Sequence, residues 1–297
     1  MKKILLATTL LVSTAGFAAA DVAVSGSARM GLVNGPVLQA DGKTKNETYF
    51  SSRVRIVFTG SGTTDGGLTF GASTRADQFA GNANVSGAST QTTNGDSTVY
   101  ISGEFGKLTF GDTAGGATDH LVGQISYVGF TSLGSYNEIG RLPGTATAAR
   151  YDYTSGNISV SIGASQPTAP NGSDKNSIAV KYATDMYNAA IGYETVTGAH
   201  EVEAKGGVTF GAATVTAKIA KNSLVNKVQY GVSLDYKVSP ALKLTAFYTD
   251  HQSAGLKAKG IGASYDLGGG ASVLGGVVDT GAATNNIMAD VGVTMSF

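Results

Sequence analysis

The residues able to do chemistry are few and of a narrow kind. The 297-residue chain has no Cys, no Trp and three His. Thiol catalysis, Cys-ligated zinc, iron–sulfur clusters and disulfides are therefore excluded. His120, His200 and His251 fall in connections or near strand ends, and none is spaced for a Ser/His/Asp triad or a metal site. Gly111–Gly116 (GDTAGG) is glycine-rich, but no Lys-Ser/Thr pair or strand–helix context follows, so it is not a phosphate loop. What remains is fixed charge. Arg53 and Arg55 alternate with Val54, Ile56 and Phe58, so on an extended chain both guanidiniums share one face and the apolar residues the other. By the same parity Arg29 lies opposite Val24, Ala28 and Met30, Arg75 opposite Leu68, Phe70 and Ala72, and Arg150 opposite Tyr151 and Tyr153. A wall of guanidiniums keeps its charge at any accessible pH and acts on anions and dipoles rather than on bonds.

The elements that must carry these residues are strands. Val228, Tyr230, Val232, Leu234 and Tyr236 interleave with Gln229, Gly231, Ser233, Asp235 and Lys237, a period of two that a helix cannot show. Sixteen such segments are expected, near 22–32, 49–60, 67–76, 97–104, 106–112, 147–155, 157–165, 175–184, 186–196, 200–209, 212–222, 227–237, 241–249, 257–267, 270–279 and 288–297. Tight Gly, Asn, Asp and Pro turns alternate with connections that are generally longer, about 33–48, 77–96, 113–146, 166–174 and 280–287, with shorter ones near 197–199, 223–226 and 250–256. All tight turns then fall at one end of a single sheet. The fold class is all-β: a sixteen-stranded antiparallel transmembrane barrel occupying 21–297.

Orientation follows from magnitudes. A sixteen-stranded barrel is too wide for side chains to fill, so an apolar interior would be an empty cavity. An Arg facing lipid at mid-depth costs about 2–4 kcal/mol, which turns the arginines inward. Only 14% of residues are charged, too few for an ordinary soluble surface, and Gly reaches 42. Lys+Arg and Asp+Glu balance at 21 each, so a nucleic-acid partner is not expected. Phe297 ends the last alternating segment on its apolar face, where an aromatic suits the headgroup boundary.

The connection after Asp112 (about 113–146) is long enough to fold back and narrow a wide barrel. Its acids Asp112, Asp119 and Glu138 would then face Arg29, Arg53, Arg55 and Arg75, setting a transverse field across a water-filled constriction. Such a channel catalyses nothing; it is no enzyme. At the other end Met1–Ala20 reads as a secretory signal, with Lys2 and Lys3 ahead of an apolar stretch and Ala18–Ala20 before the cleavage point near Ala20.

At these residues the chain resembles the general porins of alphaproteobacteria. The matching stretches are DVAVSGSARMGL (Asp21–Leu32), SSRVRIVFTGSGTTDGGLTFGAS (Ser51–Ser73), SGEFGKLTFGD (Ser102–Asp112), GIGASYDLGGGASVLGG (Gly260–Gly276) and ADVGV (Ala289–Val293). The resemblance implies a homotrimer in the bacterial outer membrane, in contact with its lipid. It implies passive diffusion of small hydrophilic solutes and ions, and no cofactor. It places Arg29, Arg53, Arg55 and Arg75 on the basic side of the pore eyelet and Asp112 and Asp119 on the acidic side, in an infolded third loop at Gly111–Gly144. Some relatives hold calcium on loop carboxylates, but no compact oxygen-ligand run stands here. The loop also departs from the family's densely acidic pattern, with Gln124, Ser126, Ser132 and Gly134 in it. Weak selectivity, toward anions, is therefore expected. The alternatives are a substrate-specific channel, which would want an aromatic track along the lumen, and an envelope enzyme on a barrel scaffold.

Overall fold

The computed structural model describes residues 21–80, 92–112, 116–142, 148–165, 174–251 and 255–297, so the expected signal segment lies outside the described residues. The strands are β1 (Asp21–Leu38), β2 (Thr44–Thr63), β3 (Thr69–Ala80), β4 (Thr92–Gly103), β5 (Gly106–Gly111), β6 (Ala149–Ser155), β7 (Ile158–Ala164) and β8 (Lys175–Ala183). They continue as β9 (Tyr187–Val196), β10 (Ala199–Phe210), β11 (Ala213–Asn222), β12 (Val228–Lys237), β13 (Leu242–His251), β14 (Leu256–Gly268), β15 (Ala271–Asp279) and β16 (Ile287–Ser296). Each strand pairs antiparallel with its sequence neighbours, and β1 pairs with β16, from Ser27↔Ser296 to Asn34↔Ala289. Closure leaves no sheet edge, which is what a β-structure needs to cross hydrocarbon. Gly26 and Phe297 seal the seam with two reciprocal backbone hydrogen bonds.

Every expected segment is a strand, but two connections are shorter than expected. Within 33–48, β1 runs on to Leu38 and β2 starts at Thr44; within 77–96, β3 reaches Ala80 and β4 starts at Thr92. Gly35 and Pro36 interrupt the apolar alternation without stopping the pairing, which continues to Leu38↔Thr44. Beyond Asn34 the β16 register has ended, so Pro36 occupies an edge stretch where a missing N–H is tolerated.

The distribution of burial is inverted relative to a soluble protein. Phe50 is 85% exposed, Val22 73% and Ile261 63%, whereas Glu201 and Lys218 are buried at 2% and 1%. Val228, Tyr230, Val232, Leu234 and Tyr236 all face outward, while Gln229 and Ser233 between them are buried. The alternation was thus an apolar exterior around a polar interior.

The long connection provides the interior core. It carries a short helix, α1 (Gly116–Leu121), and a 3-10 turn at Ser132–Ser135. Ala117, Leu121 and Val122 pack on Ala179 and Ala190 of the wall, and Ile125, Val128 and Leu133 pack with Phe247, Ala258, Val278 and Met288. Close approach needs missing side chains. A Cβ on Gly276 of β15 would lie 2.7 Å from the Gly129 backbone nitrogen, and a Cβ on Gly129 would strike the Asp290 carboxylate. The loop therefore lies directly on the backbone of the wall there.

Candidate functional site

The arginines come together because three consecutive strands put them in register. Arg29 stands opposite Arg53, and Arg55 opposite Asp77. Arg55 donates through Nε to Asp77 Oδ1 at 2.9 Å and through Nη2 to Oδ2 at 3.0 Å. Arg75 Nε reaches the same Oδ1 at 2.9 Å. One carboxylate thus serves two guanidiniums. Arg29 Nη1 donates to the Phe130 carbonyl at 3.3 Å, and the guanidinium lies 5.9 Å from the Phe130 ring centre. Arg29 and Arg53 make no ion pair among the described residues. The wall carries four cations against one anion.

Asp77 is a member of this cluster that the sequence reading missed. The signal was present: Arg75 and Asp77 are two apart and share a face. An expected strand end at 76 puts Asp77 in the following connection, whereas β3 runs on to Ala80.

The loop is held against the inner wall by carboxylates. Glu194 of β9 accepts from Thr118 Oγ1 at 2.8 Å and also pairs with Lys175 at 2.9 Å. Asp235 of β12 accepts from Ser126 Oγ at 2.5 Å. Asp290 of β16 accepts from the Phe130 and Thr131 N–H groups at 3.2 and 2.8 Å and from Thr131 Oγ1 at 2.6 Å. On the return path Thr249 Oγ1 donates to the Tyr136 carbonyl at 2.7 Å, and the Arg141 N–H to Glu201 at 2.8 Å. These contacts run around β9, β10, β12, β13 and β16, and on the arginine strands Arg29 of β1 adds its hydrogen bond to the Phe130 carbonyl. None of these anchoring carboxylates was singled out from the sequence, although each is a strand acid at an inward position.

The three expected loop acids are not brought together. Asp119 and Glu138 converge on Arg141, at 3.5 and 3.4 Å. Asp112 is exposed just after β5, its N–H bonded to the Ser97 carbonyl, apart from that pair. Arg150 does turn inward, as its parity required, and its Nε holds the Asp152 carboxylate at 3.0–3.1 Å.

His120, on α1, lies 3.5 Å from Asp152. Partial burial, and then the charge of Arg150, hold its imidazole below the ordinary histidine value; Asp152 opposes this, and Lys181 and Lys107 add to it. His120 is therefore neutral at neutral pH and gains charge only on acidification. On acidification from neutral pH the pore should gain anion preference in a step that lies below the ordinary imidazole value and that His120→Gln removes. A step centred above the ordinary imidazole value, or one that survives in the variant, would contradict this. The other histidines have structural surroundings: a His251 ring nitrogen is 3.1 Å from the Tyr136 carbonyl, and His200 lies beside Tyr193.

The comparisons with known proteins agree with this geometry. The family model described as Gram-negative porin matches residues 7–285. A porin of Rhodobacter capsulatus is 31% identical over 325 residues, covering 93% of this chain and all of that protein. Among solved structures, a triple variant of the Rhodopseudomonas blastica porin superposes with a TM-score of 0.80 at 24% identity, and another Rh. blastica variant with a TM-score of 0.80 at 23%; each match covers 93% of this chain and all of the other. A closed barrel greasy outside and charged within, with a loop folded into its bore, is built to pass water and what dissolves in it, and the chain belongs to the Gram-negative porin family as a general diffusion channel of the outer membrane.

Proposed function

We propose that passage is controlled where the arginine wall faces the infolded loop, with Arg29, Arg53, Arg55 and Arg75 as the basic side and Asp112, Asp119 and Glu138 as the acidic side. The observation that carries this reading is the Arg29–Arg53 pair: two guanidiniums opposed across β1 and β2 with no ion pair among the described residues. Like charges directly opposite each other are unfavourable and persist where hydration and counter-ions reach them. The acidic side is weaker than its composition suggests, because Asp119 and Glu138 share Arg141. The pore therefore favours anions weakly. A transverse field of this kind orders water, admits small polar solutes and hinders apolar ones.

The mature chain begins near Asp21 after cleavage near Ala20, assembles as a homotrimer, and passes solutes without catalysis. The test is the reversal potential across a salt gradient in a planar bilayer. Wild type should show a small anion preference. Arg53→Gln/Arg55→Gln should shift it toward cations and change conductance, since Asp77 would then keep only Arg75. Strong cation selectivity in the wild type, or a double variant that behaves like wild type, would refute the assignment.

A further inference from the structure

A second group of cations lies on the wall beneath α1, away from the arginine cluster. Register places Lys181 of β8 opposite Ala190 of β9, Ala190 opposite Lys205 of β10, and Lys205 opposite Lys218 of β11. This is one continuous row across four strands. It faces inward, because the alternate positions Tyr182, Ile191 and Ile219 are exposed outside. The helix α1 packs on Ala190 and its neighbour Ala179 across β7, β8 and β9, and Lys205 lies beyond it on β10. Lys205 Nζ donates to the Gln124 carbonyl of the loop at 3.3 Å. Beside the row, Lys107 of β5 stands opposite Asp152.

The counter-charges here are already used. Lys218 is closed onto Glu203 at 2.7 Å, and Asp152 onto Arg150 at 3.0 Å. Lys107, Lys181 and Lys205 make no ion pair among the described residues; Lys107 instead lies 4.0 Å from the centre of the Tyr100 ring. Lys181 and Lys205 are two strand spacings apart, roughly 10 Å, which two four-carbon arms can close onto one multiply charged anion. A monovalent ion can satisfy only one of them. An ammonium is a compact, strongly hydrated point charge that suits phosphate oxygens.

We propose that Lys181 and Lys205, with Lys107 and Arg150 beside them, form a binding station for phosphate-bearing solutes on the inner wall at the foot of the constriction loop. It rests on the reading of the lumen as a diffusion path and adds a saturable step to it. Such a solute passes from the arginine wall to the lysine row, and the row sets a preference for polyvalent over monovalent anions.

The probe is inorganic pyrophosphate added to the purified protein in a planar bilayer bathed in potassium chloride. Wild type should show a saturable fall in chloride conductance. Lys181→Gln/Lys205→Gln should raise the half-blocking concentration tenfold or more, Lys181→Arg/Lys205→Arg should retain the block, and the outward-facing Lys257→Gln should leave it unchanged. Channels that conduct chloride but show no saturable block would overturn the proposal. So would a block that survives the double Gln variant and disappears in Arg29→Gln/Arg53→Gln. Absence of any conductance would instead sink the channel reading itself. If the double variant does not fold, Lys181→Gln alone decides, because Lys181 makes no ion pair among the described residues: a block as tight as wild type overturns the proposal.

Discussion

Lys218→Met should destabilise the barrel by about 3–5 kcal/mol, the usual loss when one member of a buried ion pair is removed. Lys218 is 0% exposed at its side chain and Glu203 5%, with 2.7 Å between them. The variant leaves Glu203 unpaired, with Glu201 also on β10 two positions away and at the same inward parity. Replacing both, as Lys218→Met/Glu203→Leu, should recover most of the loss, since a buried pair exchanged for apolar side chains of similar volume is often neutral. Urea unfolding of the protein refolded into lipid vesicles measures both. A single variant no less stable than the double one would show that the pair is hydrated rather than buried.

Asp290→Ala should free the middle of the constriction loop. The carboxylate accepts three hydrogen bonds from Phe130 and Thr131. Hydrogen bonds to a charged acceptor contribute about 1.5–3 kcal/mol each, and bonds sharing one carboxylate do not add. A loss of about 3 kcal/mol changes the ratio of docked to lifted loop on the order of a hundredfold. Phe130 also accepts from Arg29, so its release loosens the arginine wall as well. Single-channel traces should then show brief excursions to a larger conductance and added open-channel noise. Asp290→Asn, which keeps one acceptor oxygen, should show a smaller version of the same effect. A quiet, wild-type-like trace from the Ala variant would mean that the loop is held by its apolar contacts alone.

The strands were legible because lipid imposes a one-sided pattern. Tyr187, Ala189 and Ile191 must be apolar outside, whatever the lumen contains, so the exterior set of each strand can be read without any partner. The arginines were legible for the same reason, since their neighbours in sequence fix their side. The loop's seat was harder to read. Phe247, Ala258, Val278 and Met288 are apolar at inward positions, and they occur on strands that the loop covers. In isolation each looks like noise in the alternation. The lysine row could not be read at all without register, because Lys181, Lys205 and Lys218 become neighbours only through strand pairing. Glu138 and Arg141 are three residues apart, so their pairing is local and legible, whereas the approach of Asp119 to the same Arg141 depends on how the loop bends back.

The central physical claim is which face of the sheet meets lipid, and the absence of native Trp makes it directly measurable. Ile191 is 57% exposed on the outer face, and Tyr100 sits on the opposite parity from exposed Val99 and Ile101. Single tryptophans placed as Ile191→Trp and Tyr100→Trp can be tested in vesicles with brominated acyl chains and with aqueous iodide. Bromolipid should quench the tryptophan at 191 and spare the one at 100, with iodide doing the reverse. The opposite pattern, with lipid quenching at 100 and water access at 191, would contradict the channel outright.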